Sequence, residues 1–146
     1  MASTGDVYIT DFDGRVVKLV GGAGTPAAVA TGLNVPVGVA VASNGDVYIV
    51  ERSPGRVVKL VGGAGTPVEV ATGLNEPVAV AVASTGDVYI ADTGMNRVVK
   101  LVGGAGSPVV VTTGLNEPTG VAAASAGVVY IVDATGVLKL TGLAHR

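Results

Sequence analysis

One segment recurs along this chain at intervals of about 41 residues, and this repeat limits the fold more than any other feature. The sequence Gly-Asp-Val-Tyr-Ile begins at Gly5, Gly45 and Gly86, and a looser copy begins at Gly127. Between the second and third copies, 28 of 41 positions are identical, which indicates recent duplication or deliberate design. A fixed period of this length is typical of arrays in which each repeat is one supersecondary unit. We therefore divide the single domain 1–146 into repeats 5–44, 45–85 and 86–126 and a partial repeat 127–146.

Each repeat carries four short strand signals separated by Gly, Pro and Asn. In the second unit we predict strands at Val37–Ala42, Val47–Val50, Arg56–Val61 and Val68–Ala71. No window shows the 3.6-residue period of a helix, so we expect no helix longer than one turn. The first strand alternates Val with Ala and is apolar on both faces, so its sheet must be covered on both sides. Four-stranded units of this kind at a period of about 40 residues are typical of propeller blades.

Several motifs of the third unit follow a known repeat pattern. They are Asn75-Glu76-Pro77, Val80-Ala81-Val82, the run Gly86–Asp92 and the run Asn96–Leu101. With them the chain resembles the NHL family of β-propellers, especially the propeller sensor domain of bacterial membrane-anchored Ser/Thr kinases. It is also similar to symmetric designed propellers based on that domain. The resemblance implies an all-β propeller of four-stranded antiparallel blades, usually six per ring, and an extracellular sensor domain.

The strand signals do not add up to a complete ring. They amount to three first strands, four second, four third and three fourth strands, which is about three and a half blades. An open array would expose Val-rich and Ala-rich blade faces, and such patches mark a partner surface. We therefore expect homo-oligomerisation to complete the ring, most simply as a homodimer. A two-fold axis requires an even number of blades, which favours six or eight, whereas seven matches the raw strand count.

Composition excludes several classes of function. The net charge of −2 and the pI near 5.2 argue against nucleic acid as a partner. The apolar runs are far shorter than the ~20 residues of a membrane span, so we expect no membrane insertion. The N-terminus does not have the pattern of a signal peptide, and the sequence leaves the localisation open. With no Cys and a single histidine, His145, we expect no enzyme activity, no catalytic residues, no metal site and no cofactor.

Acidic and basic side chains recur after the second strand of each unit. The acidic residues are Asp11, Glu51, Asp92 and Asp133. The basic residues, which begin the third strand in three units, are Arg15, Arg56 and Arg97. A ring of carboxylates could hold a hard cation such as Ca²⁺. The alternative, which we favour, is that each carboxylate accepts backbone N–H bonds or pairs with the following arginine.

The loops after the second strands differ, although their framework is nearly constant. Binding residues favour loops on rigid scaffolds. The candidate contact residues in these loops are Phe12, Glu51, Arg52, Met95 and Asn96. We expect the loops to lie on the same rim as the Gly-Leu-Asn-x-Pro crossovers, because antiparallel strands alternate ends. Tyr8, Tyr48, Tyr89 and Tyr130 recur once per unit, and we expect them to be packed between strands rather than to form a binding cage.

Two functions remain at this stage. The first is a non-catalytic scaffold whose main property is self-assembly into a closed propeller. The second is a ligand-binding or protein-binding sensor domain, or a fragment of one, from a bacterial cell-surface receptor. The near-identity of the repeats favours the first. The sequence identifies no ligand.

Overall fold

The strands of the chain form four antiparallel sheets in chain order. A computed structural model describes residues 5–124 and 127–141. Blades 1 and 2 contain Val7–Asp11 (β1), Arg15–Leu19 (β2), Ala27–Ala30 (β3), Pro36–Val41 (β4), Val47–Glu51 (β5), Arg56–Leu60 (β6) and Val68–Ala71 (β7). Blades 3 and 4 contain Pro77–Val82 (β8), Val88–Asp92 (β9), Arg97–Leu101 (β10), Val109–Thr112 (β11), Gly120–Ala123 (β12), Val129–Asp133 (β13) and Gly136–Leu140 (β14).

The predicted strand inventory is confirmed. Blades 2 and 3 have four strands, blade 1 has no innermost strand, and blade 4 has no outermost strand in the described residues, which gives about three and a half blades. In blade 2 the first strand, Pro36–Val41, lies one residue earlier than predicted, and the second strand extends one residue further, to Glu51. The third strand ends at Leu60, one residue earlier than predicted. Val61–Gly63 forms a 3-10 turn there, because Gly62 adopts a φ of 69°, a left-handed conformation that glycine allows and that ends the strand. In the described residues, no helix is long and apolar enough to cross a bilayer.

Each blade packs against the next through two apolar faces. Because strand side chains alternate, a blade has an upstream face toward the preceding blade and a downstream face toward the following one. The upstream face of blade 2 consists of Val47, Ile49, Val58 and Leu60. It packs on the downstream face of blade 1, which includes Tyr8, Val16 and Ala30. Blades 2 and 3, and blades 3 and 4, meet through the equivalent residues.

The two ends of this array leave one face of each kind without a covering blade in the described residues. Ile9, on the upstream face of blade 1, is 40% exposed, whereas its equivalents Ile49 and Ile90 are fully buried. Tyr130 and Val132, on the downstream face of blade 4, are 39% and 43% exposed. Their equivalents in blade 2 are buried, so the ends carry the same apolar surfaces as the interior contacts.

Candidate functional site

The second-to-third-strand loops and the crossovers lie on one rim, as the alternation of antiparallel strands requires. We call this the loop rim. The Leu74 N–H donates to the Gly55 carbonyl at 3.0 Å, and the Arg52 N–H donates to the Val35 carbonyl at 3.0 Å. Each crossover is thus hydrogen-bonded to the loops on either side of it. The rim is held together by backbone groups whose positions repeat with the blades.

Two of the repeated carboxylates are buried connectors between crossover and blade. Asp92 is fully buried, accepts the Asn75 N–H at 2.7 Å and pairs with Arg97 Nε at 2.8 Å. Glu51 is equally buried, accepts the Asn34 N–H at 2.9 Å and pairs with Arg56. Burial of a carboxylate requires partners of this kind, so these residues are structural. This arrangement is the one we favour over a cation site.

The first and last carboxylates differ from the middle two. Asp11 accepts the Asp13 N–H and pairs with Arg15 Nε at 2.8 Å, and these two contacts, the backbone one first, hold the pKa of Asp11 below its ordinary value. Asp133 accepts the Thr135 hydroxyl and the Asn116 N–H, and its pKa is lowered mainly by that hydroxyl. Each of the four carboxylates is therefore engaged by its own blade. In the described residues no three His, Cys, Asp or Glu side chains converge on a point where a metal ion could bind.

The candidate contact residues fall into two groups. Phe12 and Met95 project from the loop rim with 84% and 52% of their surface exposed, and Arg52 is exposed beside Glu76 at 3.7 Å. Asn96 is instead a turn residue, with a φ of 54° and a side chain that accepts the Glu117 N–H at 3.0 Å. Glu51 is inside the blade. Phe12, Arg52, Met95 and Asn96 are therefore all exposed on these loops, and the Asn96 side chain is already engaged by the Glu117 N–H.

Arg52 also lines a cleft that the sequence does not reveal. The cleft has a volume of about 370 Å³ and lies between the loop of blade 2 and the crossovers on either side of it. Its lining includes Val35, Pro54, Leu74 and Glu76. The lining thus mixes apolar and polar side chains, with one charge of each sign, Arg52 and Glu76.

Tyr8, Tyr48 and Tyr89 pack between blades, as expected, whereas Tyr130 is exposed on the end face of blade 4. Tyr48 is buried, and burial raises the pKa of its hydroxyl. The hydroxyl lies against Gly104 in the turn of the next blade, where a Cβ atom would collide with it. Lys59 lies 5.9 Å from the centre of the Tyr48 ring and 3.8 Å from Asp46, and blade 1 repeats this cluster. Tyr8 and Tyr48, whose hydroxyls lie against Gly63 and Gly104, therefore set the spacing to the next blade.

The crossover asparagines have a role that the motifs considered above do not predict. Asn34, Asn75 and Asn116 donate their backbone N–H groups to the carboxylate of the next blade. The recurrence of Gly-Leu-Asn at each crossover is the signal that could have indicated it. His145, the one histidine, lies outside the described residues.

The comparisons with known proteins agree on the architecture. The NHL repeat model matches residues 33–60 and 74–101. No curated protein sequence matches the chain significantly. Among solved structures, a chain of a nidogen/laminin complex superposes with a TM-score of 0.75 at 18% identity, over 88% of this chain and 52% of that one.

Two further solved structures are enzymes of low identity. Virginiamycin B lyase from Staphylococcus aureus gives a TM-score of 0.72 at 13% identity, over 97% of this chain and 53% of that one. A gluconolactonase from Xanthomonas campestris gives 0.70 at 13% identity, over 87% and 44%. The chain thus spans about half the length of the solved structures it matches. At these identities they establish the fold alone. The chain carries NHL repeats and has the fold of an NHL β-propeller, of which its described residues form about three and a half blades.

Proposed function

We propose that this chain is a non-catalytic scaffold that assembles with a second copy into a closed β-propeller. One observation carries the proposal. Ile9 is 40% exposed, whereas the equivalent isoleucines of blades 2, 3 and 4 are fully buried, namely Ile49, Ile90 and Ile131. A face built to be covered by another blade is an interaction surface. A second copy offers the matching downstream face, with the residues that already cover Ile49 and Ile90 inside the chain.

The length relationship supports closure by two copies. Each of the first solved relatives is about twice as long as the part that this chain covers, 52% or 53%. Two copies therefore supply about one relative's length of propeller. A two-fold axis also uses both open ends at once, since each copy contributes one upstream and one downstream face.

The absence of catalysis in this proposal rests on the state of the polar side chains. The loop-rim carboxylates Asp11, Glu51, Asp92 and Asp133 are each held by hydrogen bonds within the fold. A general acid or base needs a group that is available to a substrate proton. The near-identity of the repeats also supports an origin by design or by reconstruction from one repeat.

Matched charge insertions test the assembly. Ile9→Lys places an ammonium on the upstream face of blade 1, where desolvation opposes closure. We expect light scattering to give the mass of a dimer for the unsubstituted chain and the mass of a monomer for this variant. Val61→Lys, on an exposed turn, is the control and should keep the dimer. A dimer that survives Ile9→Lys would contradict the proposal, as would an unsubstituted chain that is monomeric.

The second candidate function is a binding domain, favoured by the exposed rim residues Phe12, Arg52 and Met95 and by the cleft beside Arg52. The nidogen/laminin neighbour gives this fold one precedent in a protein complex. A ligand that binds only the native state raises the melting temperature. Screening peptides and small molecules by melting temperature, with Arg52→Ala as the variant that should lose the shift, tests this function.

A further inference from the structure

We propose that two copies close the ring by exchanging strand β12, so that β12 of one copy pairs with β1 of its partner in place of its own β13. The β13–β14 hairpin is then released from the ring. The ring has six blades, each with four strands, and blade 1 of each copy gains the inner strand that is missing among its described residues. This inference rests on the proposed self-assembly and specifies how the copies join.

The free edge of β1 is the first support. In blades 2, 3 and 4 the strand equivalent to β1 pairs with an inner strand, but β1 lies at the edge of its sheet in the described residues. An edge of unpaired N–H and C=O groups is a template for another strand. β12 is suited to this edge. Its present neighbour is β13, and β13 begins with the same Val-Tyr-Ile sequence as β1. The register that places Val121 opposite Ile131 would place it opposite the partner's Ile9.

The hydrogen bonds of Asp11 are the second support. Glu51, Asp92 and Asp133 each accept the N–H of a crossover asparagine. Among the described residues, the hydrogen bonds that Asp11 accepts come from its own loop, Asp13 and Arg15. Exchange carries the crossover before β12 to blade 1 of the partner. The Asn116 N–H then reaches the partner's Asp11, as the Asn75 N–H now reaches Asp92.

The fourth copy of the hairpin is the third support, because it lacks contacts that the other copies share. In the first three units an aspartate before the second strand accepts a glycine N–H from the following turn, at 2.8 Å in each. Val128 stands at this position in the fourth unit. Gly136 likewise replaces the arginine that pairs with the loop carboxylate. The β1–β2 hairpin of the partner retains both groups, Asp6 and Arg15, and continues into an outer strand, β3.

Closure without exchange would give an eight-bladed ring with less complete blades. Within the part of the chain that the structure describes, blade 1 would have no inner strand and blade 4 no outer strand in either copy. Exchange instead gives each blade of the ring the strand order of blades 2 and 3. The observed position of the β13–β14 hairpin, which covers the downstream face of blade 3, marks where blade 1 of the partner would sit.

Disulfide trapping tests the exchange in the full chain, which contains no cysteine of its own. The first variant combines Ile9→Cys with Val121→Cys, and the matched variant combines Ile131→Cys with Val121→Cys. Directly opposed residues of neighbouring strands have Cβ atoms about 4.5–5.5 Å apart, the distance over which small shifts allow a disulfide. Light scattering of both reduced variants and of the unsubstituted chain comes first, followed by mild oxidation and non-reducing electrophoresis.

Exchange predicts that the Ile9 and Val121 pair gives a covalent dimer as the main product. The Ile131 and Val121 pair should keep free thiols, counted by mass spectrometry after alkylation. An intrachain disulfide in the Ile131 and Val121 variant, at equal or greater yield than the covalent dimer, would overturn the exchange. If the unsubstituted chain is dimeric and this intrachain disulfide still forms, the proposed self-assembly holds and the strand exchange is wrong. A monomeric unsubstituted chain would overturn the proposed function itself.

Discussion

Removal of the Glu51 carboxylate tests the role assigned to the buried connectors of the loop rim. Glu51 is fully buried, accepts the Asn34 N–H at 2.9 Å and pairs with Arg56. Arg56 has a second carboxylate partner, Glu69, at 3.2 Å from Nη1, and that side chain is about half exposed. Glu51→Ala and Glu69→Ala therefore each remove one partner of the same guanidinium, one from inside the blade and one from its surface.

The expected magnitudes differ severalfold. Breaking a buried ion pair by removing one partner costs about 3–5 kcal/mol, and the Asn34 N–H loses its acceptor at the same time. An exposed pair contributes about 0.2–1 kcal/mol, so Glu69→Ala should remove no more than that. We expect the free energy of unfolding to fall by about 3–5 kcal/mol in Glu51→Ala and by less than about 1 kcal/mol in Glu69→Ala.

Urea unfolding followed by circular dichroism and by tyrosine fluorescence measures both losses. All samples need the same protomer concentration, because association stabilises the native state by mass action. Losses within about 1 kcal/mol of each other would refute the reasoning, since the two variants differ chiefly in burial and in the Asn34 contact. The free energy of unfolding should depend on urea concentration with the same slope in both variants. Equal slopes would show that the substitutions change stability and not the surface exposed on unfolding.

Three further predictions concern the turns and the loop rim. Gly104→Ala forces a Cβ atom against the Tyr48 hydroxyl and should lower the urea midpoint clearly more than Gly106→Ala, which has a similar φ and open space around it. Val35→Asn should stabilise the chain by about 1 kcal/mol in the same assay, because Val35 is β-branched and holds a φ of 48°. The pKa of Asp133 is lowered in the fold, so its contribution is complete above a pH of about 4 and is lost as the pH falls through the folded pKa. Asp133→Asn should therefore reduce the loss of stability in urea titrations between about pH 6 and about pH 2.

Much of the fold is predictable from the sequence, because the sequence of each strand recurs in several repeats. The turn residues Gly, Pro and Asn recur at fixed offsets, so the ends of strands such as Val68–Ala71 are placed correctly. The difference at the end of the third strand, Leu60, arises because Val61 has high β-propensity, although the two glycines after it close a 3-10 turn. There the local geometry of glycine outweighs the propensity of valine.

The candidate site is less predictable, because exposure depends on contacts between units. Glu51 and Arg52 are adjacent in sequence, yet one is buried beneath the crossover and the other is exposed on the rim. Strand alternation explains this difference only once the position of the neighbouring crossover is known. The cleft beside Arg52 likewise requires Val35 and Glu76, which belong to two different crossovers.

The mass of the assembled particle tests the central claim most directly. Light scattering on a size-exclusion column measures the mass of the particle independently of its shape. One chain has a mass of 14.2 kDa. Closure by two copies predicts twice this value, about 28.4 kDa, unchanged over a dilution series. A stable particle of 14.2 kDa would contradict it, because Ile9 would then remain exposed in solution on a face that the other blades bury.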